Sequence, residues 1–178
     1  RVSKPLFFFI IAIYTWNIVL RYPNINGPHD GDGYAVMWAS STIDLLGVNN
    51  LLLSPLSYAG MYPYSSPFGT HHYLVAFNQL TGLGFSSSVY LLGLIFTFLG
   101  LNGLFLLTNR VTGSVYTSVI SLLFLTSAVY FTNYTYWSLS TRAPFMAIMP
   151  IFCDSLLRLQ PKHSSYRIKD FIIFICLF

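Results

Sequence analysis

The chain has 178 residues, 54% hydrophobic and only 8% charged, with a net charge of +4 and a mean hydropathy of +0.62. Soluble domains run near a quarter charged, so this composition excludes an ordinary soluble domain and predicts an all-α polytopic membrane protein. Its few Lys and Arg flank apolar runs and do not cluster as a nucleic-acid surface would require, so no nucleic-acid partner is expected.

Residues 6–20 (LFFFIIAIYTWNIVL) lie between Lys4 and Arg21 and predict a first transmembrane helix, with Tyr14 and Trp16 suited to a membrane interface. A signal peptide is the alternative, but no small-residue cleavage site follows. Residues 22–87 then form one long external loop. Within it, 34–53 reads as an amphipathic helix, with Val36, Ala39, Ile43 and Leu46 on one stripe and Ser41 and Asp44 on another. The following tract, LSPLSYAGMYPYSSPFGTHHY, is too rich in Pro and Gly for regular structure, and its Tyr residues suit the membrane boundary. The apolar segment 71–83 is shorter than the roughly 20 residues needed to cross a bilayer and is expected to be interfacial or re-entrant. Spans are predicted over 88–108 and 115–131, a shorter one over 143–157, and another from 171 to 178 onward. The start at Arg1 without Met and the stop inside FIIFICLF suggest the N-terminal part of one transmembrane domain in a longer protein.

Charge orders these spans. With a cytoplasmic N-terminus and no crossing at 71–83, Arg1, Lys4, Arg110, Arg158, Lys162, Arg167 and Lys169 lie inside and only Arg21 and Arg142 outside. If 71–83 crosses, every later loop changes sides and the basic residues become mostly external. The positive-inside rule selects the first arrangement, a multi-pass cell-membrane protein with external residues 22–87.

That loop holds GPHDGDGY, residues 27–34, in a chain with five Asp and no Glu. Asp30 and Asp32 read either as a polar turn or as an acidic site. In the second reading they act as a general base, or hold a hard divalent cation such as Mg²⁺ or Mn²⁺ with His29 as a further ligand. Gly31 and Gly33 would let the two carboxylates converge. His71 and His72 open the short helix about 100° apart, so they do not chelate one ion as an i, i+4 pair does. With Asn78 and Gln79 they give that helix a polar side for a substrate, or they snorkel at the interface. Tyr64 anchors the loop or touches substrate. Arg142 is a candidate for binding a phosphate, an interface anchor, or a partner of Asp44. Asp154 is expected to pair with Arg158 one turn on, and Cys153 and Cys176 read as small buried hydrophobes.

The order of these pieces resembles a family. HDGDGYAVMWASSTIDLLG after a first span, followed by YPYSSPFGTHHYLVAFNQLTGLG and a long apolar run, is similar to the N-terminal part of GT-C-fold glycosyltransferases. These include oligosaccharyltransferase catalytic subunits, protein O-mannosyltransferases and aminoarabinose transferases. The resemblance implies transfer of a sugar from a polyprenyl-phosphate donor to a protein, glycan or lipid acceptor on the outer membrane face. It implies that Asp30 or Asp32 occupies the active-site acid position. In oligosaccharyltransferases such acids help hold a divalent cation, and in the mannosyltransferase branch the acid acts as a base. Asp-Gly-Asp here differs from the Asp-Glu pair of the mannosyltransferases, so both mechanisms stay open.

Two other classes compete. A transporter would carry ionisable groups within its spans, and 88–108 and 115–131 hold none except Tyr. A non-catalytic assembly subunit could keep the architecture without the acids, whereas here the acids are present.

Overall fold

The computed structural model describes residues 3–22, 31–46, 69–136, 139 and 142–158. Among them the chain forms seven α-helices and no strand: α1 (Lys4–Leu20), α2 (Gly31–Leu46), α3 (Gly69–Thr81), α4 (Phe85–Thr112), α5 (Val115–Ser127), α6 (Val129–Thr135) and α7 (Ala143–Arg158). Local chemistry sets the boundaries. Pro5 sits in the first turn of α1, where no N–H is needed. Gly82 and Gly113 end α3 and α4 at φ 67° and 66°, and their N–H groups close on the carbonyls of Asn78 and Asn109 at 2.8 and 2.9 Å. Ser114 Oγ then accepts the Thr117 N–H at 3.4 Å and starts α5.

Several expected elements change. α2 begins at Gly31, so Asp32 lies in the first turn of a helix and not in a preceding turn. The straight span expected over 115–131 is two helices, α5 and α6, bent by 66° at Ala128. Side chains near the break compete for backbone carbonyls: Ser127 Oγ donates to Leu123 O at 2.9 Å and Thr132 Oγ1 to Thr126 O at 3.1 Å. By length and composition α4, at 28 residues, is the one described helix long and apolar enough to cross a membrane alone. The bent pair passes together, and α1 is a shorter apolar helix. α7 spans 16 residues and carries Pro150 inside it. Residues 47–53 and the segment from 171 to 178, with Cys176, lie outside the described residues.

Packing divides the chain into two compact units. The first comprises Arg1–Tyr22, Ile95–Thr132 and Pro144–Phe178, and the second Pro23–Leu94 and Asn133–Ala143. In the first, Ile13 of α1 meets Leu101, Val119 and Leu122 in the core. One turn further, Asn17 Nδ2 donates to Thr126 Oγ1 at 2.9 Å. These contacts climb together, so α1 and α5 run in the same sense. α4 is reversed against α5 at Gly113 and therefore runs opposite to both, with Tyr14 OH bonded to Asn102 Oδ1 at 2.7 Å. α7 follows α4: Gly100 faces Ala147, Gly103 faces Ile151, and Arg110 reaches Asp154. The glycines permit this approach. A Cβ at Gly103 would stand 2.6 Å from Ile151 Cγ1, and one at Gly100 2.9 Å from the Phe131 ring.

These senses gather Lys4, Arg110 and Arg158 at one end of the unit, while Arg21 closes α1 at the other. Arg21 is 1% exposed, donates to Asn17 Oδ1 at 2.7 Å, and lies 5.6 Å over the Phe131 ring. Burial lowers its pKa to about 10. Asn17, Arg21, Thr97, Ser118, Thr126, Asp154 and Ser155 are all buried, while Phe8, Phe124 and Phe145 are 67%, 74% and 67% exposed.

Candidate functional site

The second unit begins with the amphipathic stripe read from sequence. Val36, Ala39 and Ile43 of α2 are buried, as are Leu74 and Val75 of α3, and the two helices pack together. Ser40 Oγ donates to the His71 carbonyl at 3.3 Å, and Gln79 Nε2 donates to Asp44 Oδ1 at 2.7 Å. Both contacts advance along both helices, so α2 and α3 run in the same sense. Their amino ends therefore lie toward the same end of the pair. Asp32 is in the first turn of one, and Thr70, His71 and His72 are in the first turn of the other. Both macrodipoles are positive there, which favours a carboxylate or a bound anion.

The two histidines separate. His71 is 5% exposed, while His72 is exposed. The His71 ring belongs to the buried side of α3, because residues 71, 74 and 75 share the stripe that is buried. Asn78 and the exposed Gln79 are both engaged in hydrogen bonds. Asn78 Oδ1 accepts from Ser88 Oγ at 3.3 Å, and Gln79 holds Asp44. Thr70 is 1% exposed and its Oγ1 makes no hydrogen bond among the described residues.

Arg142 enters this unit from more than sixty residues downstream of α3. Its Nη1 donates to Tyr134 OH at 2.6 Å, and the guanidinium carbon lies 5.3 Å from the centre of that ring. Tyr134, not Asp44, is the partner seen for the guanidinium here. Two features seat the segment. Gly93 lacks a Cβ that would stand 2.7 Å from the Thr135 carbonyl oxygen. Leu139, fully buried, takes φ 38°, a left-handed conformation uncommon outside glycine and found where surrounding structure enforces it.

No protein-family model, curated protein or solved structure matches this chain.

Of the residues singled out in the sequence, Asp32, His71, His72 and Arg142 fall in this one unit, and His29, Asp30 and Tyr64 lie outside the described residues. Among the described residues no three His, Cys, Asp or Glu side chains gather to hold a metal ion. Sequence reasoning missed Tyr134 and Gly93, because neither stands at a spacing that marks a contact with Arg142 or with residue 135.

Proposed function

We propose that this chain is part of a membrane glycosyltransferase of the GT-C type, which moves a sugar from a polyprenyl-phosphate donor to an acceptor on the extracytoplasmic face. The observation that supports the reading is that Arg142, Asp32, His71 and His72 belong to one compact unit. Glycosyl transfer needs opposite charges in one place. The carboxylate of Asp30 or Asp32 takes the proton from the acceptor as its oxygen or nitrogen bonds to the sugar C1. The C1–O bond to phosphate breaks, the phosphate leaves with the electron pair, and Arg142 balances its charge. Tyr134 holds the guanidinium for that contact.

A polytopic membrane placement is part of this proposal and has its own support. The first unit buries polar side chains and exposes Phe8, Phe124 and Phe145, the reverse of a soluble domain. α1 and α5 run one way and α4 the other, which is the order of crossings expected if α3 stays on one side. Lys4, Arg110 and Arg158 then share the cytoplasmic end, in line with the positive-inside rule.

The test is transfer by the full-length protein from a polyprenyl-phosphate sugar. Asp32→Asn or Asp30→Asn should lower kcat about 10²-fold with unchanged protein in the membrane. Arg142→Gln should act mainly on the donor KM. Normal transfer by the double Asp variant would falsify the catalytic assignment. If chelation abolishes activity and Mg²⁺ or Mn²⁺ restores it, the acids serve a cation; if activity survives chelation, one acid works as a base alone.

A further inference from the structure

At one end of the first unit, two arginines from different helices share a single buried carboxylate. Asp154 Oδ1 accepts from Arg110 Nε, and Asp154 Oδ2 accepts from Arg158 Nε and Nη2, both at 2.9 Å. The carboxylate side chain is 5% exposed, and the two guanidinium side chains are 37% and 31% exposed. Both carboxylate oxygens are thus engaged beneath the surface, and what faces outward is guanidinium. An Asp154–Arg158 pair alone would be neutral, whereas the third member leaves the cluster at +1. Lys4 stands at the same end. Helix dipoles do not reverse the sign, because α1 and α5 present amino ends there while α4 and α7 present carboxyl ends. Arg110 also has an exposed apolar residue on its own helix face, Leu106, one turn before it.

We propose that Arg110 and Arg158, held side by side by Asp154, bind the phosphate of an anionic phospholipid whose acyl chains lie along the Leu106 face of α4. Guanidinium forks match phosphate oxygens in geometry as well as charge. A soluble phosphate matches the charge but leaves the exposed Leu106 beside Arg110 without a role. The site rests on the membrane placement proposed above and not on the transferase activity.

The experiment uses the full-length protein in detergent, with bound phosphatidylglycerol, phosphatidylcholine and inorganic phosphate followed by native mass spectrometry. Phosphatidylglycerol should be retained in preference to phosphatidylcholine, and millimolar inorganic phosphate should not displace it. Arg110→Gln and Arg158→Gln should each weaken retention about fivefold, the value of one cation at an anionic surface. The decisive variant is Asp154→Asn, which raises the net charge by one yet releases the two forks, so retention should fall. Arg110→Lys keeps the charge and removes the fork, and it should weaken retention even if Asp154→Asn does not fold. Tighter retention in Asp154→Asn, or unchanged retention in Arg110→Lys, overturns the site and leaves a charge effect only. Displacement by inorganic phosphate overturns the lipid as ligand. Release of the wild-type protein from membranes by alkaline carbonate overturns the membrane placement, whereas loss of lipid selectivity in a protein that resists carbonate overturns this site alone.

Discussion

Asn17 and Thr126, 109 positions apart in the chain, share a buried hydrogen bond of 2.9 Å between α1 and α5. The same Asn17 side chain accepts the Arg21 guanidinium at 2.7 Å. One amide therefore ties two helices together and holds a buried charge at the point where α5 breaks into α6.

Replacing Asn17 with Leu removes both contacts while filling most of the space. Loss of partners for buried polar groups costs about 1–3 kcal/mol, so the melting temperature in detergent should fall clearly. Thr126→Val should cost less, since it leaves the Arg21 contact intact. Equal effects of the two would show that Asn17 acts through Thr126 alone.

Gly103 predicts a steric effect. A valine there would drive its Cβ against Ile151 Cγ1 at 2.6 Å and the Ile151 backbone nitrogen at 3.0 Å. Overpacking of this kind costs about 1–3 kcal/mol. Gly84, which has open space around it and no left-handed φ, is the control, and Gly84→Ala should be close to neutral. A Gly103→Val protein as stable as wild type would mean that α4 and α7 do not meet this closely.

The helix senses predict sidedness. Single cysteines at Ser87 and Thr112, exposed near opposite ends of α4, should differ: an impermeant reagent added outside intact cells should label residue 87 and spare residue 112. Labelling of residue 112 with protection of residue 87 would invert the orientation, and labelling of both would remove α4 from the membrane.

Thr70 separates stability from function. Its buried hydroxyl makes no hydrogen bond among the described residues, and relieving an unsatisfied buried group is worth about 1 kcal/mol or more. Thr70→Val should therefore raise the melting temperature. If the hydroxyl serves a phosphate at the amino end of α3, the same variant should raise the donor KM several-fold. A fall in melting temperature would show that the hydroxyl is satisfied in the folded protein.

By itself, the sequence determined whatever depends on periodicity and composition. The stripe Val36, Ala39, Ile43 marked the buried face of α2. The scarcity of charge marked the apolar helices, and the i, i+4 spacing of Asp154 and Arg158 marked their ion pair. Each is a short-range regularity that one helix imposes on neighbouring positions. Only the tertiary structure decided the rest. It put Arg110 on Asp154, buried His71 while leaving His72 exposed, hid Arg21 behind Asn17 and Phe131, and brought Arg142 to Tyr134 in the unit that carries Asp32. These outcomes depend on which helices run in the same sense and on where glycines let backbones approach. Contacts between residues far apart in the chain leave no period in the sequence, because their spacing is set by packing and not by the geometry of any one helix.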